Sequence, residues 1–166
     1  MKLNNEIALT ANYTICYWAK TNDVSSNRTF GGSNNSLLKI SSTYQYFRAN
    51  TDGSAFSGTT YGISYNNVPN PKGTNQIQQE RWHHYVIRKK TNLIQVYVDG
   101  VLQSDSEAVT QTFNLQYIGS ADTAYTYQGW MDDILIYARP LGDTEIQNIY
   151  DRGVLQHPNP QSMEEI

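Results

Sequence analysis

Apolar and polar residues alternate along this chain with the period of strands almost everywhere. Residues 13–20, YTICYWAK, are the first strong case. Ile15, Tyr17 and Ala19 fall on one face, and Cys16 and Trp18 on the other. Apolar groups on both faces predict a central strand. Residues 82–89 and 93–98 repeat the pattern, and Asp99-Gly100 behind them predicts a tight hairpin whose return strand opens at Val101 and Leu102. Shorter stretches at 7–9, 28–31, 37–40, 44–49, 60–65 and 113–118 also read as strands, separated by Gly, Pro, Asn and Ser clusters. Gly31 and Gly32 let the backbone turn there or approach a ligand closely.

The pattern changes character over residues 129–150, GWMDDILIYARPLGDTEIQNIY. Strict alternation puts Met131, Asp133, Leu135 and Tyr137 on one face, and Trp130, Asp132, Ile134 and Ile136 on the other. One of two adjacent carboxylates would then point inward and need a partner. Pro140 ends the strand. Gly142 is the expected N-cap of a helix, with Glu145 at N3 and Leu141 and Ile146 at the staple positions. Ile146, Ile149 and Tyr150 form its apolar stripe, and Gly153 is the expected stop. Roughly ten to twelve strands and one helix of this kind predict an all-β fold, an antiparallel two-sheet β-sandwich with a short C-terminal helix. One domain spans 1–153, and 154–166 is an irregular tail.

Composition sharpens this. Charged residues are only 16%, while aromatics reach 12% with 13 tyrosines, which argues against disorder. A net charge of −3 argues against a nucleic-acid partner. The one basic run, Arg88 to Lys90, is expected to be a solvated strand end. Cys16 is the only cysteine, so no internal disulfide can form. No apolar run reaches membrane-spanning length, and MKLNNEIALT lacks the apolar segment of an export signal. The expected location is extracellular or on a virion surface, reached as part of a longer secreted protein or by assembly into a particle.

Three stretches in order carry a resemblance: residues 13–20, then Trp82-His83-His84-Tyr85 with Tyr97-Val98-Asp99-Gly100, then 129–150. Together they resemble the laminin-G-like, concanavalin A-like jelly rolls, a group that includes pentraxins, legume lectins and bacterial β-glucanases. The resemblance implies the jelly-roll form of the sandwich. It also implies that Asp132 matches a position that holds a structural calcium ion in many relatives, helped here by a carbonyl from Gly31 or Gly32. Calcium accepts such a mix of oxygens. From the residues alone, Asp132 equally serves as an acceptor of backbone N–H groups.

Catalysis finds little support. The glucanases of this fold use a Glu-x-Asp-x-Glu strand, and this chain has none. Asp132 and Asp133 are adjacent, so on a regular strand they face apart. His83 and His84 do the same, one expected to hydrogen-bond in the sheet and the other to be partly exposed, and no zinc spacing is present. Cys16 is expected to be inert core. Carbohydrate recognition needs aromatic faces beside amides, and Tyr65, Asn66, Tyr125, Tyr127 and Trp130 supply both in or beside loops. The first reading is therefore a non-catalytic, lectin-like recognition or adhesion module for a glycan or polysaccharide. The second is a structural or assembly subunit of an extracellular or phage particle, a homo-oligomer or partner of other virion proteins.

Overall fold

The computed structural model describes residues 1–24, 28–33, 36–49, 59–68, 73–120 and 126–159; for residues 28, 37, 48, 49, 59 and 60 it describes the backbone alone. Among the described residues, eleven strands and one helix follow one another: β1 (Lys2–Leu9), β2 (Asn12–Thr21), β3 (Arg28–Ser33), β4 (Ser36–Ile40), β5 (Tyr44–Ala49), β6 (Thr59–Ser64), β7 (Trp82–Lys90), β8 (Leu93–Val98), β9 (Val101–Ala108), β10 (Phe113–Ile118), β11 (Gly129–Tyr137) and α1 (Asp143–Val154). They form two antiparallel sheets. One runs β1-β10-β3-β4-β5-β6, the other β11-β2-β7-β8-β9. The expected sandwich with one C-terminal helix is what the chain builds.

The two faces of β2 explain the layering. Tyr13, Ile15, Tyr17 and Ala19 face the other sheet and join Phe30, Leu38, Phe47, Tyr85, Ile87, Phe113 and Leu115 in the main core. Cys16 faces outward and meets Val86, Tyr97, Leu141 and Ile146 beneath α1. Burying both faces of β2 is what its two-sided apolar pattern demanded. Burial pushes the Cys16 thiol up to about 12, so it stays protonated and unreactive.

The start of α1 is fixed as its sequence indicates. The Glu145 carboxylate accepts the Gly142 N–H at 2.9 Å, and Leu141 and Ile146 are both buried in the outer cluster. Arg139 grips Glu145 with both guanidinium nitrogens, at 2.9 and 2.6 Å. Those bonds, and then the Gly142 N–H, hold the Glu145 carboxyl at about 2. Thr14 Oγ donates to the Arg139 carbonyl and accepts the Leu141 N–H, each at 2.9 Å, pinning the β11–α1 turn to β2.

Several expectations are corrected. The basic run is a solvated end only at Lys90. Arg88 bonds Asp143 at 2.6 Å, and Lys89 is 1% exposed with its ammonium donating to the Gln111 carbonyl at 2.7 Å. Gly31 and Gly32 lie inside β3 rather than in a turn. A Cβ at Gly31 would come within 2.5 Å of the Tyr117 carbonyl oxygen, so the glycine permits close strand approach. Gly153 is not the helix stop, because α1 continues to Val154 and is capped at Leu155. The tail is not loose through residue 159. His157 is buried, and Asn159 bonds the backbone N–H and carbonyl of Trp82 at 2.6 and 2.8 Å.

The largest correction concerns β11. Asp132 faces Trp18 and Leu135 faces Cys16, so β11 carries one residue more than β2 over that interval. This is a bulge, and Asp133 takes the left-handed conformation with φ 47°. The bulge resets the alternation. Met131, Ile134 and Ile136 all pack on the main core, and both carboxylates are exposed. Neither carboxylate is buried, so the difficulty set by strict alternation disappears. Asp132 Oδ1 accepts the Asp133 N–H at 2.9 Å, and Oδ2 lies 3.3 Å from His157 Nε2. Asp132→Ala is therefore expected to cost about 1–2 kcal/mol, read by chemical denaturation. Asp133→Gly, which suits the left-handed conformation, is expected to be near neutral. A larger loss from Asp133→Gly would show that its side chain, not its backbone, is what the bulge needs.

Candidate functional site

Each nominated site residue has a definite place. Tyr65 is 1% exposed, and its hydroxyl donates to Gln45 Oε1 at 3.3 Å, so it is core and offers no face to a ligand. Burial drives its pKa well above the ordinary tyrosine value. Asn66 is exposed beside it, and Tyr127 packs partly against the core. Tyr125 lies outside the described residues. Trp130 is 53% exposed on the outer face of β11. Asp132 lies on that same face, whereas Gly31 is buried in β3 of the opposite sheet. These two do not share a site. Asp132 already holds a backbone N–H and an imidazole, which is not the oxygen-rich setting calcium requires. Among the described residues no cluster of three His, Cys, Asp or Glu side chains is positioned for a metal.

The histidines match expectation in part: His83 hydrogen-bonds, but His84 is not exposed. His83 faces inward, its Nδ1 2.7 Å from Asp99 Oδ2, while Asp99 Oδ1 accepts the His84 N–H at 2.8 Å. Asp99 thus locks the β8–β9 hairpin onto β7. His84 faces outward but is also buried, in ring contact with Trp18 and Tyr150.

What the structure does assemble is one end of the sandwich. Thr21 is its hinge. The Thr21 carbonyl accepts the Glu80 N–H at 2.9 Å, and the Gln128 carbonyl accepts the Asn22 N–H at 3.2 Å. These bonds draw together the ends of β2, the approach to β7 and the approach to β11. Across the other sheet, Ser42 accepts the Ile77 N–H through its carbonyl at 2.9 Å. Residues 73–81 therefore bridge the two sheets at this end. Along the bridge lies a cleft of about 650 Å³, lined by Val24, Ser42, Thr74, Gln76, Ile77, Gln78, Gln79 and Arg81. Its lining combines neutral amides and hydroxyls with two apolar side chains and one guanidinium.

Trp130 stands beside this bridge. Lys20 pairs across the sheet with Trp130 on one side and Trp82 on the other. Its ammonium lies 5.1 Å above the Trp130 ring and 3.7 Å from Glu80 Oε2, the residue between Gln79 and Arg81. All three tryptophans of the chain lie on this outer face, where His157 stacks on Trp18 at 4.6 Å and meets Trp82 edge-on at 4.8 Å. Trp18 is thereby sealed, whereas Trp130 stays 53% exposed with Lys20 over its ring. Sequence reasoning found Trp130 but missed the bridge. The only local signal there was the length of the polar 66–79 connection.

Matched against known sequence families, residues 1–147 fit the description "Concanavalin A-like lectin/glucanases superfamily". The chain belongs to that superfamily. No curated protein matches its sequence closely enough to count as a relative. Among solved structures, this superfamily member is similar to the binding domain of Paraclostridial Mosquitocidal Protein 1, at 13% identity and a TM-score of 0.60 over 91% of this chain and 40% of that one. It is similar to the heptameric SAP-like pentraxin of Limulus polyphemus, at 14% identity and a TM-score of 0.60 over 86% and 70%. It is also similar to domain 4 of AbnA, a GH43 extracellular arabinanase from Geobacillus stearothermophilus solved with arabinotriose, at 16% identity and a TM-score of 0.57 over 85% and 67%. At such identities the likeness is one of fold. The chain spans about 40% of the length of the toxin binding domains it matches. No helix among the described residues is long and apolar enough to cross a membrane.

Proposed function

We propose that this chain is a non-catalytic recognition module that binds a carbohydrate at the bridged end of the sandwich. The observation that carries the reading is the amide- and hydroxyl-lined cleft beside an exposed tryptophan. Amides satisfy ring hydroxyls through paired donors and acceptors. An open indole accepts the apolar face of a sugar ring, adding contact area at little cost in side-chain entropy. A cleft of about 650 Å³ is also within the range of small-ligand sites. Support for binding rather than turnover comes from the similar structures, several of which are named as binding domains. It comes also from β11, where the Asp132 carboxylate is engaged by the Asp133 N–H and by His157.

The test is a broad glycan array followed by calorimetry on the hits. Trp130→Ala is expected to weaken binding about tenfold or more, with unchanged melting temperature, because the ring is surface-exposed. Silence across the array, or hits untouched by Trp130→Ala and by changes in the cleft, would remove the reading. Exposed Leu135, Val154 and Leu155 around α1 favour a second reading, a subunit of a larger assembly. Light scattering decides that one, since a strict monomer at high concentration speaks against it.

A further inference from the structure

We infer that the cleft selects an acidic sugar, with Arg81 receiving its carboxylate; the inference rests on the carbohydrate-binding reading above. Arg81 lines the cleft and is half-buried. It forms no hydrogen bond or ion pair with another described residue. Two carboxylates border this stretch, and each has a partner: Glu80, next in sequence to Arg81, and Asp23, which meets the cleft residue Gln79. Glu80 pairs with Lys20 at 3.7 Å, and Asp23 Oδ1 accepts from Gln79 at 3.5 Å. Among the described residues, every other polar side chain lining the cleft is neutral: Ser42, Thr74, Gln76, Gln78 and Gln79. Arg81 is therefore the one charged side chain among the described residues that line the cleft.

A guanidinium partly withdrawn from water without an anion is poorly satisfied. Its planar fork matches a carboxylate through two parallel N–H···O bonds, a fit that an ammonium lacks. The neutral amides beside it suit hydroxyls, and Val24 and Ile77 offer an apolar floor for the C–H face of a ring. A uronic or sialic acid unit presents these three features together: one carboxylate, several hydroxyls and an apolar ring face.

Calorimetry on matched probes tests this. Tetragalacturonic acid is compared with its methyl ester, which keeps the stereochemistry and removes the charge, and sialyllactose is compared with lactose. At least one acid is expected to bind about 10- to 100-fold more tightly than its neutral partner. Arg81→Gln should bring that acid down to the affinity of the neutral partner and leave the neutral probe unchanged. Arg81→Lys should fall between, because it keeps the charge and loses the fork. Should Arg81→Gln fail to fold, the acid-to-neutral ratio of the wild type decides alone. Equal affinity for acid and neutral probes, or acid binding untouched by Arg81→Gln, would overturn the inference while leaving the carbohydrate reading intact. No binding of any of the four probes, together with a silent array, would overturn both.

Discussion

Gly153→Ala is expected to destabilise this protein by about 2–3 kcal/mol, the range of overpacking in a full core. Helix propensity alone predicts the opposite sign, since alanine in a helix interior gains about 1 kcal/mol over glycine. Packing decides the outcome. Gly153 is buried, and a Cβ there would overlap the Trp18 indole at Nε1, Cε2 and Cζ2. Trp18 cannot retreat, being 2% exposed and held by ring contacts with His84, Tyr150 and His157. The Gly153 carbonyl also accepts the His157 N–H at 3.0 Å and lies 2.9 Å from its Nδ1, so any shift of the helix end loosens the docked tail. For a chain of this size the melting temperature should fall by roughly 5–10 °C. A double-mutant cycle with Trp18→Phe separates the causes. If the clash is with the indole, the cost of Gly153→Ala shrinks by more than about 0.5 kcal/mol in the smaller-ring background. A stabilising Gly153→Ala would mean that the helix end moves freely over Trp18.

That glycine also shows how far the sequence could be read. Periodicity and local chemistry located the strands at 44–49, 93–98 and 113–118 with their observed bounds, and placed Glu145, Leu141 and Ile146 in their capping roles. Such features depend on neighbours within a few residues. The Asp99-Gly100 hairpin was equally legible, because both residues take positive φ, at 51° and 79°, as a tight turn requires. What failed depended on distant partners. Gly153 looks like a stop until Trp18 is placed beneath it. Tyr65 looks like a loop tyrosine until Gln45 receives its hydroxyl. The bulge at Asp133 leaves no mark on the pattern, since one extra residue turns a strict alternation into a false one. The candidate site is of this second kind. Segments around Lys20, Glu80 and Trp130 are far apart in the chain and meet through the pairing of β2 with β7 and β11 and the bonds at Thr21 and Gln128. Lys2–Leu9 was underestimated for a related reason, because its mostly exposed residues carry little hydrophobic signal.

Stability is expected to fall on acidification between about pH 6.5 and pH 4, with His84 as one cause. Its imidazole is 1% exposed, and neither ring nitrogen has a hydrogen-bond partner among the described residues. Burial lowers its pKa to about 4, outweighing the attraction of Asp99, and His157 lowers it slightly further. The unfolded chain therefore binds a proton on this group below about pH 6.5, while the folded chain does so only below about pH 4. The contribution is complete above the first value and lost as pH falls toward the second. Its size is on the order of 3 kcal/mol, or roughly 6–12 °C in melting temperature. Thermal scans from pH 7.5 to pH 4 on wild type and His84→Phe isolate it from the carboxylates. Phenylalanine keeps the ring against Trp18 and Tyr150 and removes two buried polar atoms without partners, so its stability at pH 7 should match or exceed wild type. Its acid slope should be shallower by the His84 share. Parallel slopes in the two proteins would assign the acid loss elsewhere.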